Sequence, residues 1–285
     1  MAVAGIILLL FACACAMGPS DPFPVGYSMG NLNTIISDDG IGGRQPWVPA
    51  AVIRRNIGLI LAAGAVSYYD MMDNIRDRGI YRAALGVSYA GPVFKCKGAF
   101  SQFDAFRMFF SQDGYFSAGL GGVSLEITGH RIGLRGKREE VKTIGELGAS
   151  VWLPFRYASL FLGVGHVVVK ESRNGSDPPL LIKGSMHTVG NRFGAQGVLI
   201  EVTPSKRKPV RFLIGEEYRL FRWLGVHAAV GSNPVMISLG VVAEWKKAGA
   251  ALSFVNHPEL GWSKGFYTEY VAGRFSEMRK KIISH

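Results

Sequence analysis

The chain is poor in thiols, in charge and in apolar runs of helical length, and each shortage excludes something. Of its three cysteines, Cys13 and Cys15 lie in an apolar N-terminal stretch. If that stretch is removed, Cys96 alone remains, so no internal disulfide framework is available. Charged residues make up 19% of the chain, with 21 acidic against 32 basic side chains and a net charge of +11. The longest interior segment without Asp, Glu, Lys or Arg is Trp223 to Ala243, with Ser232-Asn233-Pro234 at its middle. A proline inside a helix costs about 3 kcal/mol, so two strands around a turn explain this segment better than a membrane helix.

The usual chemical signatures are absent as well. Gly133, Gly136 and Lys137 have the wrong spacing for a phosphate-binding loop, and Gly119-Leu120-Gly121-Gly122 lacks the third glycine of a dinucleotide fingerprint. The histidines at 130, 166, 187, 227 and 257 are dispersed, with no pair at metal-ligand spacing, so neither metal nor cofactor is expected. Gly26-Tyr27-Ser28-Met29-Gly30 has the letters of a nucleophile elbow, but Pro22 and Pro24 precede it and no helix former follows. Glu139-Glu140 and Glu216-Glu217 are consecutive, which in a strand sends each pair to opposite faces, away from shared proton chemistry. No basic helix or zinc spacing supports a nucleic-acid partner. The chain therefore reads as a non-enzyme, with His166 and His187 the places where a rim-type lipid hydrolase or acyltransferase would have to be sought.

What the chain has instead is a cadence of short alternating segments. In Ile80 to Ala90, Tyr81, Ala83, Leu85, Val87 and Tyr89 fall on one face and Arg82, Ala84, Gly86 and Ser88 on the other. Ile237, Leu239, Val241, Ala243 and Trp245 likewise oppose Ser238, Gly240, Glu244 and Lys246, with Val242 the exception. Leu147, Ala149, Val151 and Leu153 oppose Glu146, Gly148 and Ser150; Leu180, Ile182 and Met186 oppose Lys183, Ser185 and His187. Strand side chains alternate with period two. One face here is apolar and edged with aromatics, while the other is mostly Gly, Ala and Ser with an occasional charge. A solvent-washed sandwich face would carry more Lys, Glu and Thr, so the pattern predicts an all-β fold, a single transmembrane antiparallel barrel. The 37 glycines fit the twist and bulges that closure needs.

Strands are placed near 57–69, 79–90, 92–103, 115–128, 143–153, 157–169, 180–190, 193–203, 210–220, 224–232, 235–245, 247–256 and 264–275. That makes about thirteen, and the even counts of single-chain barrels make the estimate twelve to fourteen. Ser232-Asn233-Pro234 and Lys246 to Gly249 read as tight turns. Asp70 to Arg78, Arg135 to Lys142, Glu171 to Pro179 and Thr203 to Pro209 read as longer charged loops on the other side.

The remaining segments divide as follows. Residues 1–17 match a signal peptide, with an apolar run from Ala2 to Ala16 followed by Met17-Gly18-Pro19-Ser20. Leu10-Phe11-Ala12-Cys13 also resembles a lipobox, which leaves acylation of Cys13 or Cys15 open. Residues 18–50, with five prolines and Asp38-Asp39-Gly40-Ile41-Gly42-Gly43, form an irregular segment or a plug. Residues 51–275 form the barrel, and 276–285 a basic tail.

Asn256-His257-Pro258-Glu259-Leu260-Gly261-Trp262-Ser263-Lys264, with the strands on either side, resembles the C-terminal hairpin of PorV/PorQ-like outer-membrane barrels, relatives of the FadL group. That resemblance implies a barrel that transports hydrophobic compounds or serves protein export and surface attachment. The Gly-rich start of that group is missing; only Ser28-Met29-Gly30-Asn31 stands in its place. The expectation is an exported bacterial outer-membrane barrel, a passive channel for small or hydrophobic solutes, or a non-conducting scaffold that binds a secretion-system or surface protein. Outer-membrane lipids and an anionic or hydrophobic solute are its expected partners. Arg82, Glu146, Lys183 and Glu244 are the candidates for the lumen wall that tunes selectivity.

Overall fold

The structure is a computed structural model that describes residues 50, 58–68, 80–105, 108–135, 140–155, 158–171, 181–188, 194–202, 210–232, 235–257 and 261–272. The signal-peptide region, residues 18–49 and the basic tail lie outside the described residues. Fourteen strands follow one another: β1 (Gly58–Tyr68), β2 (Ile80–Ala90), β3 (Phe94–Ala105), β4 (Phe109–Leu120), β5 (Val123–Leu134), β6 (Glu140–Pro154), β7 (Ala158–Glu171), β8 (Leu181–Thr188), β9 (Gly194–Val202), β10 (Arg211–Phe221), β11 (Leu224–Gly231), β12 (Met236–Trp245), β13 (Ala248–His257) and β14 (Gly261–Val271). Every strand pairs with its sequence neighbours, and β1 pairs with β14 from Ile60↔Val271 to Ser67↔Lys264, so the sheet closes. Closure leaves no strand edge for lipid to strand without hydrogen bonds.

The outer wall is what a bilayer requires. Leu85, Leu125, Ile214, Ile237, Leu239 and Phe266 are exposed on it, while their sequence neighbours Ala84, Ser124, Gly215, Ser238 and Gly265 are covered on the lumen side. The burial alternates residue by residue along β2, β12 and β14. Apolar out and small or polar in is the transmembrane arrangement. Val242, the exception in its strand, turns inward and is buried opposite Ala251 and Gly225.

Three sequence expectations are corrected. The segment 115–128 is two strands, because Gly121 and Gly122 make a two-residue turn between β4 and β5. Gly121 has φ +58°, and a Cβ on Gly122 would lie 2.5 Å from the Trp152 carbonyl oxygen, so the turn needs both glycines. The last strand begins at Gly261, with φ +87°, and ends at Val271, earlier than 264–275. Ser232-Asn233-Pro234, read as opposite in side to the longer loops, joins β11 to β12 at the same rim as they do.

The two rims differ. At one, which we call the terminal rim, β1 begins, β14 ends, and the connections are only two to five residues long. At the far rim they run from three to eleven residues, including 69–79, 172–180 and 203–210. Lys246, at positive φ, and Lys247 form a terminal-rim turn.

Candidate functional site: the lumen wall

Inward side chains on β2 to β6 form a charged line. Asp113 on β4 stands directly opposite Ser101 on β3 and His130 on β5. Its Oδ1 accepts from the Ser111 hydroxyl at 2.7 Å and meets His130 Nδ1 at 2.8 Å. Its Oδ2 accepts from Ser101 Oγ at 3.2 Å and lies 3.5 Å from Arg82 Nη2. The other imidazole nitrogen of His130 lies 3.5 Å from Glu146 Oε2 on β6. A neutral imidazole donates from one nitrogen only, whereas this geometry places a carboxylate at each. Arg, Asp, His and Glu thus succeed one another across five strands in alternating sign, every side chain buried or nearly so. Arg82 also covers the Phe103 ring, 5.3 Å from its centroid.

Two of the predicted residues, Arg82 and Glu146, are therefore joined in one network by two that the sequence reading passed over, Asp113 and His130. Glu244 faces inward on β12, opposite Gly249, and belongs to the other wall. The backbone of Lys183 pairs with Gly163 and Glu201; its side chain lies outside the described residues, as do those of His166 and His187.

On that other wall, Glu217 (β10), His227 (β11), Gly240 (β12) and Ser253 (β13) are consecutive partners along one hydrogen-bonded line. Arg219 Nε donates to Glu217 Oε1 at 3.4 Å. Among the described residues, Glu217 Oε2, both ring nitrogens of His227 and Ser253 Oγ are buried without a hydrogen-bond partner. In the sequence His227 is one of the dispersed histidines and Ser253 belongs to no motif. Glu216, next to Glu217, faces outward, as consecutive strand residues must.

Toward the far rim the lumen holds an apolar cluster of Val66, Tyr68, Ile80, Phe103, Ala105 and Val255, with Phe109 and Met236 packed on it. The rings of Tyr68 and Phe109 both meet Phe103 edge-on, at 5.8 and 5.9 Å. The expected lining of Gly, Ala and Ser holds deeper in the barrel; the far-rim side instead fills inward positions with bulk. Toward the terminal rim the wall mixes polar groups with the buried ring pair of Trp152 and Phe161. Ser150 Oγ donates to Glu126 Oε1 and lies 2.7 Å from Ser124 Oγ, and Lys95 Nζ donates to the Gly121 carbonyl. Ala50, fully buried, donates its amide to Ser117 Oγ at 2.9 Å, and a Cβ on Gly119 would touch its methyl. The residue that ends the Pro-rich stretch thus lies on the lumen wall.

Fold and wall together define the class: a closed fourteen-stranded transmembrane β-barrel with a charged and partly apolar lumen. No protein-family model matches the chain, and no curated protein sequence does. Among solved structures, mutants of Rh. blastica porin are similar to it at 10% identity and TM-scores of 0.46 and 0.47, covering 75% of this chain and 99% of theirs. A structure described as "Asymmetric conductivity of engineered proteins" is similar to the same degree, with a TM-score of 0.47. Similarity at this level adds no argument, and the assignment of the class rests on the strand pairing and the outer wall.

Proposed function

We propose that the protein is an outer-membrane channel that passes small solutes without catalysis, its selectivity set by the line Arg82–Asp113–His130–Glu146. The observation that carries this reading is the alternation of charge on the inner wall of a barrel whose outer wall is apolar. Fixed charges of both signs in a confined lumen act on a passing ion far more strongly than the same charges in bulk water. The outer membrane is supported by the export-like N-terminus and by short turns with both barrel ends at one rim and longer connections at the other, the asymmetry of bacterial barrels. Because Ala50 covers Ser117 at the terminal rim, residues 18–50 are proposed to limit passage there.

The test is planar-bilayer recording under a salt gradient. Arg82→Glu should move the reversal potential toward cation preference and Glu146→Gln toward anion preference. A chain lacking residues 18–50 should conduct more. Lys183→Glu, on β8, tests a third predicted residue in the same way. Reversal potentials unchanged in all three point variants would remove the selectivity assignment, and no conductance with or without residues 18–50 would remove the channel.

A further inference from the structure

The outer wall of β3 to β5 changes character part of the way up, and the change makes a site. From the terminal rim it is apolar: Phe94 and Phe100 on β3, Leu120 and Phe116 on β4, Val123, Leu125 and Ile127 on β5 are all exposed. It then reaches Gln102, Gln112 and Arg131, which are mutual partners along one hydrogen-bonded line. These residues face outward, since Ser101, Asp113 and His130 beside them face the lumen. Arg131 is exposed and donates from Nη1 to Gln112 Oε1 at 3.3 Å.

One step nearer the far rim, Phe110 and Asp104 are also outward-facing partners, yet only 4% and 1% exposed. Guanidinium groups cover them. Arg131 and Arg135 both lie over the Phe110 ring, at 5.8 and 5.2 Å, and Arg135 Nη1 donates to Asp104 Oδ2 at 2.8 Å. The Arg135 amide donates to the Met108 carbonyl, which fixes the chain at that point.

Two guanidinium groups on the lipid side of a barrel mark the level at which hydrocarbon ends, because a charged side chain facing acyl chains costs several kcal/mol at mid-bilayer and little at the interface. Asp104 neutralises Arg135, while the one side-chain acceptor given to Arg131 among the described residues is a neutral amide. Among the described residues the patch therefore carries an excess positive charge, held by strands and ring faces, and pointed at headgroups. Guanidinium is the side chain best matched to phosphate oxygens.

We propose that Arg131 and Arg135 bind the phosphate of a phosphorylated glycolipid in the leaflet at the far rim. This rests on the outer-membrane reading above, since the longer connections of bacterial barrels face outward; it does not depend on conduction.

The experiment uses the full chain, stripped of lipid in detergent and titrated by native mass spectrometry. The probe is a bis-phosphorylated glucosamine-disaccharide lipid, compared with its dephosphorylated form and with phosphatidylglycerol. The expected result is retention of the phosphorylated glycolipid, weakened at least tenfold by Arg131→Gln with Arg135→Gln and unchanged by Arg222→Gln at the opposite rim. A heat-dependent gel shift of each variant checks that the barrel has formed, and Arg131→Gln alone serves if the double variant does not fold. Equal binding of the phosphorylated and dephosphorylated lipids, equal binding of phosphatidylglycerol, or no loss in the variants would overturn the proposal. Membrane fractionation tests the outer-membrane reading separately. A protein found elsewhere that still binds the phosphorylated lipid would sink that reading and keep the site's chemistry.

Discussion

The two lumen walls are built by the same alternation and use polar groups differently. On β2 to β6 every oxygen of Asp113 has a partner, and the charges continue through His130 to Glu146. On β10 to β13, Glu217 has one oxygen held by Arg219, while its second oxygen, both ring nitrogens of His227 and Ser253 Oγ have no hydrogen-bond partner among the described residues. The reason lies in what stands between them. Ser101, Asp113 and His130 are immediate cross-strand partners with side chains long enough to meet. His227 and Ser253 are separated by Gly240, which contributes no side chain to bridge the gap, and Glu217, the direct partner of His227, is held by Arg219 on its own strand instead. Side chains that meet across strands become a network, whereas a line broken by glycine, or by a carboxylate turned to its own strand, leaves isolated polar groups. Stability should therefore be concentrated on the first wall.

The largest effect that would expose this difference is Asp113→Ala. It removes the one carboxylate that Arg82, His130 and two serine hydroxyls share, and breaking a buried charged network from one side costs about 3–5 kcal/mol. Urea unfolding of the reconstituted barrel should show that loss; a loss below about 1 kcal/mol would mean that the network contributes nothing net.

A paired comparison of the two histidines is the sharper test. His130→Leu removes the link between two carboxylates and should cost about 2 kcal/mol, whereas His227→Leu replaces an imidazole that has no hydrogen-bond partner and should be neutral or stabilising. The same unfolding assay reads both. Equal losses would show that the walls do not differ in the way their hydrogen bonds suggest.

The smallest contrast concerns hydroxyl groups. Ser117→Ala deprives the buried Ala50 amide of its acceptor and should cost about 1 kcal/mol, while Ser253→Ala should leave stability nearly unchanged. Unfolding midpoints would resolve the two, and a costly Ser253→Ala would reveal a partner for that hydroxyl.

Much of the fold was legible from period alone. Ile80 to Ala90 and Ile237 to Trp245 gave the correct faces, because a strand's geometry ties side-chain direction to sequence parity without reference to the rest of the chain, whereas Lys246, assigned to the inner face, lies exposed in the terminal-rim turn. The even strand count followed from closure. The miss that mattered most for the site was one turn. In a two-residue hairpin, partners are placed symmetrically about the turn, so with Gly121-Gly122 as its centre, position 120 meets 123 and position 113 meets 130. Taking 115–128 as one strand hid the Asp113–His130 pair, although both residues and the turn glycines were in plain view.

Sequence by itself determined the alternation, the apolar exterior, and the inward placement of Arg82, Glu146 and Glu244, since all three depend only on local backbone geometry. Tertiary structure decided which inward residues meet. Arg82 and Asp113 are 31 positions apart and sit on strands that do not pair, so their contact depends on β2, β3 and β4 being brought into one register. Closure decided the rest, because only when β1 pairs with β14 does the inner face become a confined lumen in which those charges can act on a solute.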